Sequence, residues 1–223
     1  MKLESFVRGQ WASPGRDVID IHSAVTGDVV AQLASGSLDM REILTYARAK
    51  GGANLRRLTF HQRADMLKRL GQYLTERKDQ LYKLSFQTGA TRTDNMIDVD
   101  GGIGTLFVYA SKGRRELPNA KFLLDGMVEP LSKGGSFSGQ HIMTPMHGVG
   151  VHINAFNFPC WGMLEKLAPA VLAGVPVVTK PATVTSYVAY ELARMIAESG
   201  ILPDGAFQFI VGSTGDLFDH LTC

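Results

Sequence analysis

The sequence predicts an α/β protein with a doubly wound parallel sheet, on three observations. Residues 148–211 alternate short apolar runs with helix-length runs, in the order β-α-β-α-β. The short runs are apolar throughout rather than alternating, as in strands covered on both faces. Of the 223 residues, 45% are hydrophobic and 20% charged, the make-up of an ordinary globular chain with a sizeable core.

In chain order, Phe6 to Trp11, Val18 to His22 and Val29 to Leu33 carry strand-like residues. Gly9, Pro14-Gly15 and Thr26-Gly27-Asp28 break them, and a small antiparallel layer is expected. Asp39 with Glu42, and Thr59 with Gln62, resemble capping boxes that open helices at about 39–50 and 60–86. Ala64, Leu67, Leu70, Leu74, Leu81 and Leu84 follow one buried helical face. Asp100-Gly101-Gly102-Ile103-Gly104 lacks the order of a phosphate loop, which leaves a turn or a close helix contact. Leu117 to His147, punctuated by Pro118, Pro130, Gly134, Gly135 and Gly139, reads as a hairpin excursion. Then come a strand at Gly148 to Ile153, a helix at Cys160 to Gly174 and a strand at Val175 to Thr179. A helix at Thr185 to Ser199, closed by Gly200, and a strand at Phe207 to Val211 complete the pattern.

Composition narrows the function classes. The 23 basic and 21 acidic residues leave a formal charge of +2, spread along the chain, which argues against a nucleic-acid partner. No run of about 18 apolar residues occurs and no signal core follows Met1, so a cytoplasmic, non-membrane protein is expected. Cys160 and Cys223 form no disulfide framework, and His141, His147 and His152 have no zinc-type spacing, so no metal is expected.

The chemistry-bearing residues lie just past the apolar strands. In open α/β sheets, ligands bind at the carboxyl ends of the strands. Asn157 stands in such a loop, where its amide can donate to an oxygen gaining negative charge. Lys180 stands in the next one, where it can reach ribose hydroxyls or a phosphate. Cys160 reads as a small buried apolar side chain, and His152 as a packing or surface residue.

Around these residues the sequence resembles the aldehyde dehydrogenase superfamily. Ala155-Phe156-Asn157-Phe158-Pro159 resembles that family's Pro-Trp-Asn-Phe-Pro motif, and Glu165 to Ala170 its Trp-Lys-x-x-Pro-Ala segment. Thr179-Lys180-Pro181-Ala182 resembles its Lys-Pro-Ala motif. The likeness extends to Gly9–Trp11, the Thr26-Gly27-Asp28 turn and Arg63-Ala64. Gln87 to Arg92, Gly101 to Phe107 and Asn154 to Pro159 look most like the dehydrogenase part of bifunctional phenylacetate-degradation proteins, with benzoate-pathway CoA-semialdehyde dehydrogenases close behind.

The resemblance implies oxidation of a small-molecule aldehyde, CoA-linked in those subfamilies, through a thiohemiacetal and a thioester on a cysteine. Asn157 would be the oxyanion donor. Ile153, Asn154, Ala155, Phe156, Lys180, Ala182, Thr183, Gly212 and Ser213 would hold the cofactor, with Gly212-Ser213-Thr214-Gly215 opening a helix near the pyrophosphate. Lys166 matches a family lysine near the site and reads equally well as a solvated charge. Where NAD-preferring members often carry glutamate, this chain has Thr183, so NADP is expected, with NAD as the alternative. The family's Gly-Gln-x-Cys nucleophile and its glutamate base are absent from the sequence, so an N-terminal piece of a longer enzyme, with one sheet face left uncovered, is expected. The implied division is 1–116 and 148–223 for an incomplete cofactor-binding domain and 117–147 for a hairpin that joins subunits into a homo-oligomer. A non-catalytic nucleotide-binding or assembly module retaining the cofactor half stays open as the alternative.

Overall fold

The computed structural model describes residues 1–221 apart from Pro14, Arg16 and Ser37, so the break expected at Pro14 and the terminal Cys223 lie outside the described residues. The first strand-like run is a hairpin rather than one strand. Ser5–Val7 (β2) and Gln10–Ala12 (β3) pair antiparallel across Arg8 and Gly9, both at positive φ, 53° and 77°. Such a two-residue turn has the twist a tight hairpin needs. β2 then pairs antiparallel with Phe207–Phe209 (β10), Phe6 opposite Phe209, and the Ser5 hydroxyl accepts from the Val211 amide at 3.1 Å.

The expected single antiparallel layer is therefore divided. Asp17–His22 (β4) and Val29–Ser35 (β5) form it with Lys2–Leu3 (β1), which runs parallel to β5, while β2 and β3 extend the main sheet. Strand-like composition marks the strands but not their partners.

The main sheet has the order β3-β2-β10-β9-β8. Gly150–Ile153 (β8), Val177–Lys180 (β9) and β10 run parallel, with Ile153 beside Lys180 and Thr179 beside Phe209. Alternate side chains point to opposite faces. Val177 and Phe209 face the larger core, with Leu67, Leu164, Val171 and Leu192; Val178 and Ile210 face a smaller one, with Val7, Met40, Ile43, Ala47 and Leu217. The face expected to lack cover is covered over β9 and β10 by Met40–Tyr46 (α1) and the turn at Leu217, whereas Val149 and Val151 at the β8 edge are only partly buried. The α/β class, with parallel strands joined by helices, stands.

Asp39 caps α1 by accepting from the Glu42 amide at 2.8 Å. The helix does not stop near residue 50. It widens into a π-type turn at Ala47–Gly51 and runs on through Gly52–Arg56 (α2), because Gly51 crosses the Gly205 turn closely: a Cβ on Gly51 would stand 1.9 Å from the Gly205 carbonyl oxygen. Thr59 and Gln62 form a reciprocal capping box on Phe60–Thr75 (α3).

The long run expected to residue 86 breaks after Thr75 and resumes as Lys78–Ser85 (α4), with no Gly or Pro to announce the break. Arg63 is fully buried in α3; its guanidinium donates to the carbonyls of Leu172, Leu55 and Leu58 at 2.7–3.2 Å. Burial lowers its pKa to about 10, so it stays charged at neutral pH and clamps the helix-end carbonyls of Leu55 and Leu172 and the loop carbonyl of Leu58.

Arg92–Asn95 (α5), a π-type turn at Met96–Asp100 and Gly101–Arg115 (α6) make one helical run, so the Asp100 to Gly104 stretch is helical. Leu123–Pro130 (β6) and Ser138–Met143 (β7) form a separate antiparallel hairpin, bulged between Asp125 and Glu129, where Gly126 has φ +77°. Trp161–Ala173 (α7) and Ser186–Glu198 (α8) join the parallel strands. Among the described residues no helix is long and apolar enough to cross a membrane.

Candidate functional site at the carboxyl edge of the sheet

The parallel register brings three loops side by side. Residues 154–160 leave β8, Pro181 to Thr185 leave β9, and Ile210 to Gly215 leave β10, in the spatial order β8, β9, β10. The first two are joined by the Asn154 amide, which donates to the Lys180 carbonyl at 3.0 Å, and by the Thr185 hydroxyl, which donates to the Phe156 carbonyl at 3.1 Å.

Asn157 is exposed at the mid-point of its loop. With Ala155, Phe158, Trp161, Gly162, Glu165 and Lys166 it lines a cleft of about 330 Å³. Lys166 donates to the Gly162 carbonyl at 2.8 Å and to Glu165 at 3.0 Å, which places an ammonium group on the same wall as the Asn157 amide.

Ile153, Ala155 and Phe156 are exposed, whereas Asn154 is only 5% exposed, with both amide atoms lacking a hydrogen-bond partner. It faces α7: a Cβ on Gly162 would stand 4.0 Å from the Asn154 amide carbon. Lys180 is the last residue of β9, paired with Ile153, rather than the first residue of the loop past it; it is half-buried, donates to the Pro181 carbonyl at 2.9 Å, and has its pKa lowered by desolvation. Ala182 precedes, and Thr183 begins, the 3₁₀ turn Thr183–Thr185; the Thr183 carbonyl accepts from the Ser186 hydroxyl at 2.7 Å.

Gly212 is buried at φ +89° and Ser213 is exposed, its hydroxyl accepting from the Gly215 amide. The helix expected from Gly212 onward is instead a 3₁₀ turn at Leu217–His220, too short to align many peptide dipoles.

Cys160 is fully buried, and burial followed by the nearby Asp98 carboxylate raises its thiol pKa, which disfavours a nucleophilic thiolate. His152, on β8, has its pKa lowered to about 4, first by burial and then by Lys166, so its ring is neutral. His141 and His147 are exposed elsewhere, on and just beyond the hairpin.

The model of the aldehyde dehydrogenase family matches residues 11–223. The chain belongs to that family. Among curated aldehyde dehydrogenases it is 41% identical over 223 residues to a 3,4-dehydroadipyl-CoA semialdehyde dehydrogenase of Aromatoleum evansii, covering 100% of this chain and 43% of that protein. It is 28% identical over 212 residues to succinate-semialdehyde dehydrogenase [NADP(+)] 2 of Schizosaccharomyces pombe, covering 94% and 41%. A solved 3,6-anhydro-L-galactose dehydrogenase superposes with a TM-score of 0.83 at 22% identity, over 99% of this chain and 44% of that one. The chain thus spans less than half the length of the aldehyde dehydrogenases it matches.

The residues at the sheet edge fit a dinucleotide of the kind such enzymes use. Ile153, Phe156 and Val184 leave apolar surface exposed around Lys180, while the Lys180 ammonium is engaged only by a neighbouring carbonyl among the described residues. Motif reading singled out Asn157 and Lys180 but not the cleft wall at Trp161 and Glu165, nor Asp98. The Asp98 carboxylate is buried and accepts from the Cys160 amide at 3.1 and 3.2 Å and the Trp161 amide at 2.7 Å. Burial raises its pKa, against the lowering effect of those bonds. Its only sequence signal is the i, i+3, i+4 spacing to Gly101 and Gly102, which share its helical face.

Proposed function

We propose that this chain forms the cofactor-binding half of an NAD(P)-dependent aldehyde dehydrogenase acting on a CoA-linked semialdehyde of aromatic, phenylacetate-type catabolism. The observation that carries this reading is the alignment of the Asn157, Lys180 and Gly212 loops at the ends of three adjacent parallel strands. The substrate class is supported by the likeness to the Aromatoleum evansii enzyme.

In this proposal the Lys180 ammonium and the apolar patch at Ile153 and Phe156 bind and orient the adenosine end, with Asn154, Ala155, Ala182, Thr183, Gly212 and Ser213 shaping the cleft. A bound nicotinamide supplies a hydride acceptor. Asn157 donates its side-chain N–H to the aldehyde oxygen as a nucleophile adds to the carbonyl and negative charge develops there. Cys160, buried and disfavoured as thiolate, is not the nucleophile in this reading. Residues 1–116 and 148–223 make up the cofactor-binding domain, and residues 117–147 the hairpin through which a second copy joins.

In the intact enzyme, Asn157→Ala should lower kcat about 100-fold while leaving cofactor affinity within a few-fold. Unaltered turnover in an assay limited by chemistry would refute the donor role. NADP is the preferred cofactor in this reading. A carboxylate at position 183 would repel a 2′-phosphate, whereas the Thr183 hydroxyl can donate to it. Thr183→Glu should shift the ratio of kcat/KM values toward NAD; a wild type that favours NAD, or a ratio that does not move, rejects the assignment.

A further inference from the structure

We infer that Asp98 and Thr185 are positioning residues that hold the Asn157 loop in its working geometry, a role that depends on Asn157 being the oxyanion donor proposed above. The loop is tied on both sides of Asn157. On its amino-terminal side the Thr185 hydroxyl, in a residue only 7% exposed, donates to the Phe156 carbonyl at 3.1 Å. On its carboxyl-terminal side the Asp98 carboxylate accepts from the Cys160 and Trp161 amides. Asn157 directly follows Phe156, and two residues, Phe158 and Pro159, separate it from Cys160.

The second tie is unusual in its origin. The N-cap of α7 is Cys160, which makes no side-chain cap, so the first amides of the helix take their acceptor from Asp98, 62 residues earlier in sequence. A local Ser or Thr could satisfy an amide there without burying a charge. An acceptor on another helix does something a local cap does not: it fixes where α7 begins relative to α6. The approach is close because Gly101 and Gly102 face Trp161; a Cβ on Gly102 would lie 2.9 Å from the Trp161 Cα, and one on Gly101 2.7 Å from the indole ring. The helix carrying Asp98 thus sets the register of the loop that presents Asn157. Oxyanion donors are sensitive to such placement, since a shift of about 1 Å can cost about 100-fold in rate.

The test uses the full-length enzyme. Asp98→Ala should lower kcat about 30- to 100-fold with the cofactor Kd, measured without substrate, within about 3-fold, and Asp98→Asn, which keeps an acceptor oxygen, should restore part of kcat. Thr185→Val should lower kcat about 10-fold with the same unchanged Kd, and it carries the test if Asp98→Ala does not fold. The deciding comparison is made in an Asn157→Ala background. If Asp98 and Thr185 act through Asn157, their substitutions cost little further turnover there; if their role is general stability, the losses multiply and the inference is overturned. Wild-type kcat in Asp98→Ala or Thr185→Val, with Asn157→Ala impaired, removes the positioning role alone. Wild-type kcat in Asn157→Ala removes both readings.

Discussion

The hairpin β6–β7 and the parallel strands β8–β10 draw on similar apolar residues and dispose of them in opposite ways. In β9, Val177 and Val178 are fully buried, one toward each core. In β6, Met127 is 87% and Val128 58% exposed, and Ile142 and Met143 across the ladder are exposed as well. The sheet has helices to pack on both faces. Among the described residues the hairpin has a single ladder and its strands are largely exposed, and two strands cannot bury their own faces. Strand propensity is therefore met in both regions, while burial is supplied within the chain for only one of them. The subunit-joining role proposed for residues 117–147 would cover this exposed apolar surface.

The comparison can be broken most forcefully by one substitution made in both regions. Val178→Asp places a carboxylate between the sheet and α1 and should cost more than about 4 kcal/mol, enough to leave little folded protein. Val128→Asp should leave the denaturation midpoint within about 0.5 kcal/mol of wild type but shift sedimentation of the intact protein toward the monomer. Equal destabilisation by the two changes, or assembly indifferent to Val128→Asp, would remove the distinction.

A smaller effect sharpens the same lesson within one helix. Gly102 and Gly104 are two residues apart in α6, yet a Cβ on Gly102 meets Trp161 backbone atoms at 2.9 and 3.0 Å, while one on Gly104 meets nothing within 4 Å. Gly102→Ala should destabilise by about 1–3 kcal/mol, and Gly104→Ala should stabilise by about 0.5–1 kcal/mol through helix propensity. Urea midpoints of the two variants check both signs, and a destabilising Gly104→Ala would show that its open side is occupied in the assembled protein.

By itself the sequence determined the β-α-β-α-β order, the Thr59 and Gln62 capping box, the hairpin excursion, the place of Asn157 past β8 and that of Lys180 at the carboxyl end of β9. Each of these is written in local terms, as periodicity, cap spacing or motif, which a single strand or helix can satisfy within a few residues of itself. Only the tertiary structure decided that Phe6 pairs with Phe209, that the run from Phe60 breaks after Thr75 without a breaker, that Gly51 continues a helix past Gly205, and that Asp98 caps α7. Those features satisfy amides, carbonyls and close backbone contacts between segments far apart in the chain. Each such demand belongs to a pair of segments, and neither member carries it alone.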